Sequence, residues 1–186
     1  MRLLIGFGNK ARHGKDAAAA AIKDHYDRCR DQFKKHDLTV PVPEVKIFRF
    51  AEAIYEVCRK EFGMTTKDAP LLQRVGLERR SICVNYWVEK VEQQLDKFNG
   101  IALIADVRFK NEAEMVKRIG GFLVNVQRLN ADGTPFITDD RPAEHPSEIE
   151  LDDFNWDYRL VAKTGESDLA GEQAITLTEY LLGLTN

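Results

Sequence analysis

The sequence predicts an α/β fold in which a parallel sheet is covered by helices on both faces. Three observations carry this reading. Short apolar runs recur at 3–7, 45–50, 101–105, 122–126 and 158–162. Segments with apolar residues at helical spacing lie between most of them, and strand–helix alternation of this kind builds parallel sheets. The first run also ends in a glycine-containing turn that opens directly into a helix, the setting of a phosphate-binding loop.

Residues 3–7 read as a buried strand ending in Gly6-Phe7-Gly8, because an unbroken apolar run of that length fits a strand covered on both faces. From Lys15 the chain turns helical, with Ala17, Ala21, Ile22 and Tyr26. Residues 28–44 are polar and end in Pro41-Val42-Pro43, so they read as a loop or frayed insertion. The second strand, 45–50, leads into a helix over 51–62, where Ile54, Val57, Cys58 and Phe62 share a face and Gly63 caps the end. Residues 64–82 are polar and basic and read as irregular. Val84, Trp87, Val88, Val91, Leu95 and Phe98 then mark an amphipathic helix closed by Asn99-Gly100. The third strand, 101–105, carries Asp106 at its carboxyl end. A helix over 110–119 stops at Gly120-Gly121, and the fourth strand follows. Residues 129–157 are rich in Asp, Pro, Gly and Thr and have little periodicity; irregular stretches of this length usually have a role. The fifth strand and a helix carrying Ala170, Ala174, Leu177, Leu181 and Leu184 complete the reading.

The 186 residues are 44% hydrophobic and 31% charged, with a formal net charge of −3. This suits one domain with its own core, 1–186. An acidic balance gives no ground for expecting DNA as a partner. No run reaches the ~18 apolar residues of a spanning helix, so no membrane is expected. The N-terminal residues enter the first strand without a basic segment ahead of an apolar stretch, so no signal peptide is read. The three cysteines, Cys29, Cys58 and Cys83, are odd in number and widely spaced. They argue against a disulfide framework and for a reducing, cytoplasmic setting. Neither His25 nor His36 forms a zinc-type pair with them.

The richest segment is Gly8-Asn9-Lys10-Ala11-Arg12-His13-Gly14-Lys15-Asp16. A phosphate loop needs backbone N–H groups converging on an anion, a helix N-terminus aimed at it and a lysine that reaches the terminal phosphates. Gly8 and Gly14 permit the bend, and Lys15 stands where that lysine belongs. Two residues depart from G-x-x-x-x-G-K-[ST]. Asn9 occupies the first glycine position, and asparagine tolerates positive φ better than most residues. Asp16 replaces the hydroxyl residue that usually holds magnesium; a carboxylate can contact the ion directly or through water.

The loop Lys10-Ala11-Arg12-His13-Gly14-Lys15-Asp16 resembles that of bacteriophage-type deoxynucleoside monophosphate kinases. Asp106-Val107-Arg108-Phe109-Lys110-Asn111-Glu112-Ala113-Glu114 is similar to their D-V-R-F-x-N-E-A-E signature. His145-Pro146-Ser147-Glu148, followed by Leu151-Asp152-Asp153, looks like their H-x-S-E element. Phe50-Ala51-Glu52 and Leu72-Gln73-Arg74-Val75-Gly76 fit more loosely. The resemblance covers most of the chain in the correct order. It implies a P-loop NTPase kinase fold with a five-stranded parallel sheet in the order 2-3-1-4-5. It also implies an acceptor-binding helical region at about 51–98 and a lid-like insertion at about 129–157. The implied reaction transfers the γ-phosphoryl of ATP to a deoxynucleoside monophosphate with Mg2+ as cofactor, in the cytoplasm, or the host's cytoplasm for a viral protein.

Within that reading, Asn9, Lys10, Ala11, Arg12, His13, Gly14, Lys15 and Asp16 bind ATP, and Lys15 holds the transferred phosphate. Asp16 and Asp106 are the candidate magnesium residues, the alternative for Asp106 being a helix cap. Arg108 is a candidate for the acceptor's phosphate, with a salt bridge to Glu112 as the alternative. Arg74, Arg79, Arg80, Trp87, Arg141, His145 and Glu148 are further substrate candidates, although Trp87 also fits the apolar stripe of its helix. A homodimer is compatible with the sequence. Other small-molecule P-loop kinases, of dephospho-coenzyme A or phosphomevalonate type, share the loop and differ in the acceptor pocket. A nucleotide-binding protein without turnover is the reading that the Asn9 and Asp16 departures leave open.

Overall fold

The computed structural model describes residues 3–138 and 146–185. Strand β1 (Leu3–Gly8) is buried along its whole length. It forms the centre of a five-stranded, all-parallel sheet with β2 (Val45–Phe48), β3 (Ile101–Val107), β4 (Phe122–Leu129) and β5 (Tyr158–Lys163). The strand order is β2-β3-β1-β4-β5, as expected from the sequence. The helices are α1 (Lys15–Lys35), α2 (Phe50–Phe62), α3 (Ala69–Ile82), α4 (Tyr86–Leu95), α5 (Lys110–Arg118), the short α6 (Pro146–Ile149) and α7 (Ser167–Thr185).

Alternation along β1 divides its side chains between two cores. Leu3, Ile5 and Phe7 pack with Ala18, Ala19 and Ile22 of α1 and with Ala174 and Leu181 of α7. Leu4 faces the other way, toward a core built from α2 to α5 that includes Trp87, Val91, Leu95, Met115 and Val116. Both faces of the central strand are therefore apolar, which is why it reads as an uninterrupted run. No helix among the described residues is long and apolar enough to cross a membrane.

Three expectations are corrected. Residues 69–82, expected to be irregular, form α3. Asp68 caps it by accepting the Leu71 N–H at 2.9 Å, and Pro70 lies in its first turn, where the missing N–H costs nothing. Leu71, Leu72 and Val75 face the core, but the exposed Gln73 and Arg74 between them and the exposed Leu77 and Glu78 after them dilute that stripe. Residues 28–35, expected to be loop, continue α1. Their stabilisation comes from local charge pairs such as Arg30 with Asp27 at 2.8 Å rather than from apolar burial, so no hydrophobic period marks them. The amphipathic helix expected from Val84 to Phe98 is shorter, with Val84 exposed ahead of it and Phe98 beyond it, edge-on to Phe48.

The stretch 129–157 divides. Leu129 bridges Pro135 across a tight turn at Gly133. Residues 151–157 are anchored: Leu151 is buried, Phe154 and Trp156 pack on the core, and the Asp157 carboxylate accepts the Leu123 N–H at 2.7 Å and pairs with Lys117. Arg141 and His145 lie outside the described residues.

Trp156 also explains Gly8. A Cβ at that position would lie 2.3 Å from the indole Cη2 and 3.0 Å from the Val107 carbonyl oxygen. Gly8→Ala is therefore expected to destabilise the protein by about 1–3 kcal/mol through overpacking, read from urea unfolding. Adding Trp156→Phe, which shortens the ring that collides, should recover part of the loss. A Gly8→Ala protein as stable as the parent would show that Trp156 does not press on this glycine.

Candidate functional site

The carboxyl ends of β3 and β4 flank that of β1, and the chain leaves β1 there in a loop. In open parallel sheets a crevice forms at such a switch in strand order, outside the carboxyl ends. Residues 9–14 turn through three positive φ values: 119° at Asn9, 57° at Arg12 and 96° at Gly14. Gly14 needs its freedom for conformation and not for space, since a Cβ there would meet nothing closer than 3.8 Å. Asn9 holds its unusual backbone with its own amide, which donates to Asn125 Oδ1 at 3.0 Å and to the Val126 carbonyl at 2.9 Å. The substitution of the expected glycine thus adds an anchor between the loop and β4.

Lys15 opens α1 and is buried, at 4% exposure. Its ammonium curls back into the loop, donating to the carbonyls of Asn9, at 2.8 Å, and Lys10. Burial, with the Arg108 charge adding to it, lowers its pKa to about 7, while Glu148, Asp16 and Asp106 pull the other way. Glu148, from α6, reaches into the same loop. One carboxylate oxygen accepts the Ala11 N–H at 2.7 Å and the other accepts from Arg108 Nη1 at 3.0 Å. His13 is turned toward the end of β4. Its Nδ1 accepts the Arg128 N–H at 3.1 Å and its ring meets Phe136 edge-on. Burial and the nearby Lys15 lower its pKa to about 4, so it acts as a neutral acceptor.

On the β3 side, Asp106 accepts the N–H groups of Phe50 and Ala51, each at 2.9 Å. It therefore caps α2, a helix that precedes it in sequence and whose own N-cap, Arg49, supplies no side-chain bond. Burial raises its pKa, while those two N–H groups, Arg108 and Arg49 lower it. Arg49 also reaches Asp16 at 2.8 Å, so its charge pairs with one candidate carboxylate while acting on the other. Glu112 is buried. It accepts the backbone N–H groups of Arg108, at 2.8 Å, and Phe109, at 3.2 Å, and its other oxygen lies 3.4 Å from Arg80. Burial pushes its carboxyl up to about 8, with Asp106 adding to the rise. The alternative salt bridge of Arg108 with Glu112 does not form: Glu112 holds the Arg108 backbone, and the guanidinium goes to Glu148.

Contacts thus bring the loop residues Asn9, Lys10, Ala11 and Lys15 together with Glu148 and Arg108, and Arg80 joins Arg108 through Glu112. Three candidates are engaged elsewhere. Trp87 is 1% exposed and donates its indole N–H to the Gly76 carbonyl at 3.1 Å, which corrects the base-stacking reading. Arg79 pairs with Glu61 and Arg74 lies over Phe62, both on the outside of α2 and α3. Arg49, Glu112 and Asn125 belong to the site and were not picked out from sequence. Of these, only Glu112 carried a signal, as part of the quoted signature.

Among the described residues no cluster of three or more His, Cys, Asp or Glu side chains suits a metal ion. Magnesium does not require one, since it commonly keeps waters and takes one or two carboxylates together with phosphate oxygens. Asp16, 74% exposed beside Lys15, and Asp106, whose oxygens each accept a single N–H, fit that sparse role.

No family model matches the chain. Over 49 residues it is 45% identical to a protein of Acanthamoeba polyphaga mimivirus named "Putative deoxynucleotide monophosphate kinase". The match covers 26% of this chain and 21% of that protein, so the chain spans about a fifth of its relative's length.

The lowered pKa of Lys15 has a measurable consequence. A lysine that titrates near 7 is mostly neutral at pH 8, and a bound phosphate raises its affinity for a proton. A phosphate group bound against Lys15 at pH 8 is therefore expected to bring about one proton with it, and binding at pH 6 far less, because there the ammonium is already protonated. Calorimetry in buffers of different ionisation enthalpy reads this directly. Lys15→Met should abolish the uptake. Equal uptake in parent and variant would locate the titrating group elsewhere.

Proposed function

We propose that this protein is an ATP-dependent phosphotransferase that converts a deoxynucleoside monophosphate to the diphosphate. The observation that carries the reading is the buried Lys15 at the N-terminus of α1, inside a loop of positive-φ turns, with Asp106 and Arg108 presented from the neighbouring strand end. Phosphoryl transfer calls for little covalent work by the protein; it needs positioned cations and N–H groups around the transferring group. The similarity to a viral protein with a deoxynucleotide kinase's name supports the acceptor class.

In this reading the loop N–H groups and the first turn of α1 receive the β- and γ-phosphates of ATP. Lys15 exchanges the carbonyls of Asn9 and Lys10 for phosphate oxygens. A cleft of about 210 Å³ beside the loop, lined by Arg12, His13, Gly14, Arg128, Thr164 and Ala170, receives the rest of the nucleotide. Arg108 and Arg80 draw the acceptor's phosphate from the other side of the loop. An acceptor oxygen then forms its bond to the γ-phosphorus as the bond to the β–γ bridging oxygen breaks, leaving ADP. Asp16 and Asp106 would hold Mg2+, which would supply charge neutralisation of the phosphates.

Lys15→Ala is expected to lower turnover by at least ~100-fold with the fold intact, because one preorganised charge on the transferring group is worth several kcal/mol. The assay is ADP release across the common deoxy- and ribonucleoside monophosphates, with dephospho-coenzyme A and phosphomevalonate as further acceptors. Near-normal turnover in a folded Lys15→Ala protein would sink the assignment. Nucleotide binding without transfer to any acceptor would favour a non-catalytic role.

A further inference from the structure

We propose that Glu112 is a positioning residue that joins Arg80 and Arg108 into one clamp for the acceptor's phosphate. The proposal rests on the phosphotransferase reading above. Its basis is the division of labour between the two carboxylate oxygens. Oε2 accepts the N–H groups of Arg108 and Phe109, which fixes the turn from β3 into α5. A glutamate in the first turn of a helix often does this much as a cap. Oε1 does something a cap does not require: it faces the guanidinium of Arg80, which comes from α3.

Arg80 is held from a second side as well. Its guanidinium lies over the Phe109 ring, 4.3 Å from the centroid. Phe109 is the residue whose N–H Glu112 also holds, so the carboxylate sets both surfaces against which Arg80 rests. Arg108 is fixed likewise at two points, its backbone by Glu112 and its side chain by Glu148. Two arginines from distant parts of the chain are thereby referred to one buried carboxylate, at the strand end that borders the phosphate loop. Arginine pairs of this kind suit a phosphate dianion, because planar guanidinium groups deliver two parallel N–H bonds.

The test separates the cap from the clamp. In Glu112→Gln the amide oxygen still accepts the Arg108 and Phe109 N–H groups, so the cap survives. The amide NH2 then faces Arg80 and has nothing to accept with. We expect a folded protein whose KM for the preferred deoxynucleoside monophosphate rises by more than ~10-fold, while KM for ATP stays within about twofold. Arg80→Gln, which leaves the cap untouched, should raise the same KM by a similar factor. The double variant should be little worse than either single one, because the two residues act as a unit. An unchanged acceptor KM in Glu112→Gln, or effects that multiply in the double variant, would overturn the proposal and leave Glu112 as a cap. Should Glu112→Gln fail to fold, an unchanged acceptor KM in Arg80→Gln overturns it equally. The parent protein's own turnover across the acceptor panel reports on the underlying function separately; absence of transfer there would bring down both readings.

Discussion

The site is organised around the cost of burying the Lys15 ammonium. A charge with so little exposure must be solvated by the protein itself. The loop provides this by folding two of its own carbonyls, those of Asn9 and Lys10, onto the ammonium. That arrangement requires the backbone to turn back on itself, and the positive φ values at Asn9, Arg12 and Gly14 are how it does so. The remaining charges fall into place around this one. Glu148 lowers the potential of the loop from the α6 side, and Asp16 and Asp106 do so from the α1 and β3 sides. Glu148 stands, as a carboxylate, where a phosphate oxygen would find an N–H donor and a guanidinium together. An N–H donor of the loop and a guanidinium thus already converge on anionic oxygen, that of Glu148.

The fold was largely readable because buried parallel strands advertise themselves as unbroken apolar runs. The runs from Leu3 and from Ile101 are of this kind, and both are central strands. The order of strands came from the resemblance, not from the pattern; nothing in apolar spacing tells β3 to lie between β1 and β2. The two misread helices share a cause. In α3 and in the second half of α1, local capping and charge pairs supply stability where a broad apolar face would normally announce a helix. Propensity and pairing of this sort leave a weaker trace than periodicity.

The site was legible only in part, for a related reason. Lys15 and Gly14 are placed by a contiguous motif. Arg49, Glu112 and Asn125 act through contacts that the chain closes over long separations: Asn125 with Asn9, Arg49 with Asp16, Glu112 with Arg80. Each of these residue types on its own is ordinary at a strand end or a helix start. Their meaning comes from the parallel topology, which brings the carboxyl ends of β2, β3 and β4 to the same edge as the loop. Trp87 shows the converse. Its helical spacing supported a core position and a base-stacking one alike, and burial against Gly76 decided for the core.

Asp106 shows why such a site resists division into structural and functional residues. Its carboxylate satisfies the first two N–H groups of α2, groups that would otherwise be orphaned at a helix end. In doing so it fixes where α2 begins relative to β3, and α2 carries α3 and α4 packed against it in the same core. The Arg80 end of α3 is thereby referred to the strand that also presents Arg108. Removing the carboxylate would loosen the placing of α2 and α3 against β3 as well as remove a negative charge near Lys15. A loss of activity on its substitution therefore cannot by itself be assigned to magnesium. Asp106→Asn keeps one acceptor oxygen but sets its NH2 against the other N–H of α2, so it weakens the helix start and discards the charge together; urea unfolding without nucleotide or ion reads the first effect alone.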